Sequence, residues 1–287
     1  MNRYIKVFWY NPPEGNFGDE VGPYLVQKIS GKMPICCRPR FKGAIHDLID
    51  SVFIRRSFRE SVHRFLFLFM RDPIYLVVGS ILGLSNKRTI AWGSGFMNSK
   101  SIIYSGRFYA VRGMESAQRL LDLKLSAPAV CGDPALLLPL YYKPNIEKKN
   151  VVGIIPHFTE YKYFKEKWGD KFRIICLKTK DVESVINQIV ECSYILSSSL
   201  HGLIVSHSYN IPCLWFENNI LEEEGFKFKD YFSSVGIDYY RGFDNIEYLL
   251  ESEAHILELF ENNQNKILIN ADLSEIQNRL LNVCPFV

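Results

Sequence analysis

Apolar runs that stop abruptly at glycine or serine recur along this chain, and they restrict its fold more than any other feature. Ile74-Tyr75-Leu76-Val77-Val78 runs into Gly79-Ser80, Thr89-Ile90-Ala91-Trp92 into Gly93-Ser94-Gly95, and Phe108-Tyr109-Ala110-Val111 into Arg112-Gly113. Strands apolar on both faces belong to parallel sheets covered by helices on each side. Their ends then meet in a row, which is where open α/β sheets bind ligands. Residues 4–10 read as a first strand of the same kind, and 129–136 as a further short one that ends in Gly132-Asp133-Pro134.

At 287 residues the chain exceeds the usual size of one core, so two units are expected. The polar, Pro-containing stretch 139–150 reads as a linker, dividing the chain into 1–140 and 141–287. Alternation then restarts: strand 151–155, helix 159–168, strand 172–177, helix 181–191, strand 194–196, a further helix, and strand 211–216. Helical periodicity resumes at 245–267 and 273–281, with the last helix free to reach back over the first unit.

The charge balance, 34 basic against 31 acidic side chains, argues against a nucleic-acid partner, so any anion recognition must be local. Seven cysteines, with Cys36 and Cys37 adjacent and no C-x-x-C, point to neither a disulfide framework nor a zinc site. A reducing, cytoplasmic compartment is the simplest reading. Residues 1–10 lack the pattern of a signal peptide, and no apolar run reaches membrane-spanning length. Segment 52–70 interleaves Arg55, Arg56, Arg59 and Arg64 with Phe53, Phe58, Phe65, Phe67 and Phe69. It reads either as a core-facing helix with a solvated basic face or as an amphipathic helix on the anionic face of the inner membrane.

The stretch Ser197-Ser198-Ser199-Leu200-His201-Gly202 follows a buried strand and opens a helix, placing backbone N–H groups, hydroxyls and an imidazole together. It either holds an anion or merely caps a helix beside a half-buried His201. His157 ends strand 151–155 at the same sheet edge. In the first unit, the loop 11–19 carries Asn16, Gly18 and Asp19, while Ser80, Gly93 and Ser94 follow apolar strands. Arg112, at a strand end before a helix, either clamps a carboxylate or phosphate or pairs with a structural Asp. His207 lies nearly opposite His201 on the helix and is expected to pack.

Seven motifs occur in order: Asn16-Phe17-Gly18-Asp19-Glu20, Val78-Gly79-Ser80-Ile81-Leu82, Trp92-Gly93-Ser94-Gly95, Val111-Arg112-Gly113 with Ser116, Gly132-Asp133-Pro134-Ala135, Ile155-Pro156-His157 and Ser199-Leu200-His201-Gly202. Together they resemble the polysaccharide pyruvyl transferase family over residues 16 to about 217. The resemblance implies an α/β, GT-B-like fold: two Rossmann-like parallel-sheet domains facing a cleft, the first on the acceptor side and the second on the donor side. It implies transfer of a pyruvate ketal from phosphoenolpyruvate to two hydroxyls of a sugar in a bacterial surface polysaccharide or its lipid-linked precursor. Phosphoenolpyruvate is then the donor substrate, with no cofactor and no metal required. Arg112 and Ser116, with Ser197, Ser198, Ser199 and Gly202, would hold its two anionic ends. Of His201 and His157, one would act as general acid/base and the other orient phosphate.

Many members of that family carry Arg where Ser199 stands here, and Lys178, Lys180, Arg107 and Arg173 are the cations placed to compensate. Two rival functions fit the same two-unit cleft. One is a nucleotide-sugar glycosyltransferase, with Glu217 on a ribose; the other is a non-catalytic anion or glycan binder.

Overall fold

A computed structural model of the chain describes residues 3–39, 72–217 and 225–286, with Ile45, Ile49 and Val52 as isolated helical positions. The first half opens with β1 (Tyr4–Phe8), α1 (Phe17–Ser30) and β2 (Met33–Cys36), then β3 (Ile74–Leu76), β4 (Thr89–Trp92) and β5 (Arg107–Ala110). These five strands form one parallel sheet in the order β2-β1-β3-β4-β5. Helix α2 (Met114–Asp122), a tight turn Pro134–Leu137 and the one-turn α3 (Leu138–Tyr141) complete it. Residues 142–150 carry no regular structure.

The second half alternates β6 (Val152–Ile155), α4 (Tyr161–Trp168), β7 (Arg173–Ile174), α5 (Val182–Val190), β8 (Tyr194–Ser197), α6 (Leu200–Ser208) and β9 (Cys213–Trp215). Its sheet is again parallel, in the order β7-β6-β8-β9. Four helices follow: α7 (Phe226–Val235), α8 (Ile246–Glu251), α9 (Glu253–Glu261) and α10 (Leu273–Asn282). The fold is therefore α/β with two Rossmann-like parallel sheets. No helix among the described residues is long and apolar enough to cross a membrane.

Several local expectations are corrected. Residues 129–136 form no strand: Cys131 makes a single parallel bridge to Val111, and the chain then turns helical at Pro134, which has no N–H for a ladder. Asp133 caps that turn, accepting from the Ala135 N–H at 2.9 Å. Pairing within 172–177 is limited to Arg173–Ile174. β2 lies outside the strands read from the sequence; among the described residues it is an edge strand, where Pro34, lacking a donor, is tolerated. The periodic stretch 245–267 breaks at Ser252, whose extended backbone and hydroxyl start a new helix by accepting from the Ala254 N–H at 3.2 Å. The basic segment 52–70 lies outside the described residues apart from Val52.

The two sheets share a continuous apolar core, with Val7, Val77 and Trp92 from one and Ile154, Leu196 and Leu214 from the other. Helix α1 lies at their seam, burying Val21, Leu25 and Val26. Its first N–H, from Phe17, donates to Leu177 O at 2.9 Å, and the Tyr24 hydroxyl donates to Glu183 at 2.7 Å. Helix α10 packs on the first half: Trp92 Nε1 donates to Leu280 O at 2.9 Å and Gln277 Nε2 to Leu136 O at 2.7 Å. Phe286, just beyond it, lies edge-on to both Tyr75 and Trp92.

Candidate functional site

Strand order alone locates a site. In each sheet the chain winds outward in both directions from its first strand, so the order reverses between β1 and β3 and between β6 and β8. Loops leaving neighbouring strands at a reversal part to opposite faces and open a crevice at their carboxyl ends. The two crevices meet in one cavity of about 600 Å³. Tyr10 to Pro12, Glu14 to Asn16 and Gly79 to Ile81 line it from the first sheet, His157, Phe158 and the Ser199–His201 turn from the second.

The β8–α6 turn presents the start of a helix to the cavity. Ser199 is the N-cap of α6 in extended conformation, and its side chain makes no cap bond. The first-turn N–H groups of α6 accordingly lack intrahelical acceptors next to the cavity. Behind them, Ser197 is buried and used structurally: its Oγ donates to Ser199 O at 2.8 Å and accepts from Ser199 N at 3.1 Å. Ser198 Oγ accepts the His157 N–H at 2.7 Å, tying the end of β6 to the end of β8. Gly202 lets the helix approach, since a Cβ there would lie 2.5 Å from Ser197 Oγ.

His201 is half-buried, with Nε2 shielded from solvent and without a hydrogen-bond partner among the described residues. Burial, reinforced by the nearby Arg112 and Lys227 charges, lowers its pKa to about 3, so the imidazole is neutral. Across the seam, Asp19 accepts from Asn16 Nδ2 at 2.7 Å. Its burial, against that hydrogen bond, raises the carboxyl pKa to about 7, with Glu20 adding to the rise. Gly79 lies in the left-handed region, φ +105°, and a Cβ on it would come within 3.7 Å of Asp19 Oδ1. His157 Nδ1 shares a proton with Thr159 Oγ1 at 2.8 Å, and its ring packs on Phe158.

Of the expected first-unit residues, Asn16, Gly18, Asp19 and Ser80 come to the cavity wall or directly behind it. Arg112 does not line the cavity, which corrects its reading as an anion clamp. It is fully buried: Nε donates to Asp230 at 2.9 Å, Nη1 to Ser80 Oγ at 2.7 Å and Nη2 to Phe96 O at 2.7 Å. Ser116 belongs to the same knot, donating through N and Oγ to Asp230 and accepting from the Phe96 N–H, so it too lies away from the cavity. Gly93 packs instead on Pro134, where a Cβ would fall 2.1 Å from Cδ, and Ser94 is buried beside it. His207 packs as expected, bridging the Tyr231 hydroxyl and Cys213 O.

Among the described residues, Arg38, Lys178 and Lys227 are cations that line the cavity. Lys178 was among the four expected to compensate for Ser199; Arg173 instead pairs with Glu191. Lys227 had no local signal, because α7 reaches the site only through its docking on α2. Met114 N donates to Ser233 Oγ, and Lys229 pairs with Glu115. Glu217, considered for a ribose, is engaged by Arg241 at 2.8 and 3.1 Å.

The model of the family described as polysaccharide pyruvyl transferase matches residues 35–220. That span takes in Gly79, Ser80, His157, the serine turn and His201. The chain belongs to the polysaccharide pyruvyl transferase family. It is also 34% identical, over 181 residues, to an uncharacterized protein of Acanthamoeba polyphaga mimivirus, covering 58% of this chain and 62% of that relative.

Proposed function

We propose that this protein transfers pyruvate from phosphoenolpyruvate, as a ketal, to two hydroxyls of a sugar in a surface polysaccharide or its lipid-linked precursor. The observation that carries the proposal is the convergence, in one cavity, of the α6 N-terminus with Lys178, Lys227 and Arg38 beside two histidines. A small donor with two anionic ends needs such a set, and helix N–H groups with ammonium groups supply it without metal-type ligands. The cavity is within the ~300–1,000 Å³ range of ordinary small-molecule sites. It leaves room for a sugar beside the donor, against the exposed rings of Tyr10 and Phe158.

In this reading the first half holds the acceptor and the second the donor. His201 takes part in proton transfer, and His157, braced by Thr159, orients phosphate. Ser80 and Asn16, on the first-half wall of the cavity, would meet an acceptor hydroxyl. The reaction proceeds on the cytoplasmic side, where phosphoenolpyruvate is made available, with peripheral membrane contact where the acceptor is lipid-linked.

The test is thermal stabilisation of purified protein by phosphoenolpyruvate, UDP, CMP, GDP and inorganic phosphate, with Lys227→Ala as control. A ligand that binds only the folded state adds about 2.7 kcal/mol at one hundred times its Kd. Stabilisation by phosphoenolpyruvate that is lost in Lys227→Ala supports the proposal. Stabilisation by a nucleotide but not by phosphoenolpyruvate overturns the donor in favour of glycosyl transfer.

A further inference from the structure

We propose that Asp19 is the proton donor of the reaction and His201 its partner base, the two exchanging roles between the halves of each turnover. This rests on phosphoenolpyruvate being the donor.

The geometry comes first. Asp19 and His201 enter the same cavity from different halves of the molecule, at the two places where strand order reverses. The backbone carrying Asp19 is pressed on the imidazole: a Cβ on the preceding Gly18 would lie 2.3 Å from His201 Nδ1. On its other side Asp19 faces the Gly79 turn. Asn16 is the side chain that fixes its carboxyl, leaving Oδ1 toward that turn. Among the described residues, the charged and titratable groups facing this space are Tyr10, Glu14 and Glu20 from its own loop and helix, Arg38, Lys178, Lys180 and Lys227 from neighbouring segments, His157, and Arg112, whose charge acts on His201 from behind the wall.

The chemistry needs two groups in opposite states. Ketal formation removes two hydroxyl protons, delivers one to the methylene carbon and leaves one on phosphate. In the first half, the carboxylic proton of Asp19 goes to the methylene carbon, which bonds it with the alkene π pair. The first sugar oxygen bonds to the adjacent carbon, and its proton passes to His201. In the second half, the carbon–oxygen bond to phosphate breaks, its electron pair leaving with phosphate, which takes the proton from His201. The second sugar oxygen bonds to the same carbon, and its proton passes to the Asp19 carboxylate. Both residues end as they began. The cycle starts from a protonated carboxyl and a neutral imidazole in one cavity, and burial favours the uncharged form of each.

The experiment has two arms on the full chain. Protein labelled with carbon-13 at aspartate carboxyls is titrated by NMR, comparing wild type with Asp19→Asn, with and without phosphoenolpyruvate. In parallel, phosphate release from phosphoenolpyruvate is measured with methyl glycosides of glucose, galactose and mannose and with water alone. A carboxyl titrating near neutrality and absent from Asp19→Asn is expected. Asp19→Asn should bind phosphoenolpyruvate within a few-fold of wild type while turnover falls ~10²- to 10⁴-fold, with partial rescue by Asp19→Glu. An Asp19 that is ionised throughout the neutral range, or an Asp19→Asn variant turning over within a few-fold of wild type, overturns the proposal and leaves the donor standing. Failure of wild type to bind phosphoenolpyruvate overturns both. The titration decides the protonation state whether or not the sugar probes are accepted.

Discussion

Gly18 and His201 are in contact across the seam between the two sheets: a Cβ on Gly18 would lie 2.3 Å from Nδ1 and 2.9 Å from Cγ of the imidazole. The position of the imidazole is thus set by a residue lacking a side chain in the other half of the chain. Gly18→Ala should displace the ring from the cavity wall, where a misplacement of about 1 Å costs ~10²-fold in rate. Steady-state kinetics on Gly18→Ala, with circular dichroism to show an intact fold, checks this; undiminished turnover would mean the ring's position is immaterial.

His201→Ala should lose ~10²- to 10⁴-fold in turnover while retaining donor affinity within a few-fold. A non-catalytic binder would show unchanged affinity and no turnover in wild type either. Isothermal titration beside a phosphate-release assay separates the two.

Arg112 and Asp230, both fully buried and 2.9 Å apart, clamp α7 to the strand end before α2. Removing one partner of such a pair leaves an uncompensated buried charge, so Arg112→Ala should cost about 3–5 kcal/mol in a denaturant melt. Arg112→Lys should fail to rescue, because one ammonium cannot reach Asp230, Ser80 and Phe96 O as the guanidinium fork does.

Stability should depend on pH through groups of opposite sign. His201, near 3 when folded against 6.5 unfolded, and His207, near 4, make the protein less stable as pH falls below 6.5. Asp19 and Asp133 rise from 3.8 to about 7, so their contribution is complete below pH 3.8 and is lost as pH rises through 7. Asp19→Asn should therefore be more stable than wild type at pH 8, with the difference gone at pH 4. Urea melts at the two pH values read this directly.

Lys227→Ala should weaken phosphoenolpyruvate by about 1.5–3 kcal/mol, the worth of a charged hydrogen bond, which is roughly 10- to 100-fold in Kd. The same substitution at exposed Lys229, which pairs with Glu115, should leave Kd unchanged.

Most strand positions, the serine turn and the placement of His157 and His201 at strand ends were legible because their signals are local. An apolar run of β-branched and aromatic residues stopped by Gly79-Ser80 or by Ser197 to Ser199 has few other ways to fold. The failed strand at 129–136 shows where that logic ends, since Pro134 and the capping Asp133 outweigh a short apolar run.

By itself, the sequence determined two parallel α/β sheets and a helix that starts at the serine turn, because patterning and turn chemistry act over a few residues. Which polar groups reach the cavity was decided only by tertiary structure. Arg112 meets Asp230, 118 positions away, and is drawn into the interior, while Lys227, one turn before Asp230 on α7, arrives at the cavity wall. Both outcomes follow from a single long-range event, the docking of α7 on the first half, and no local pattern specifies the partner of a buried charge.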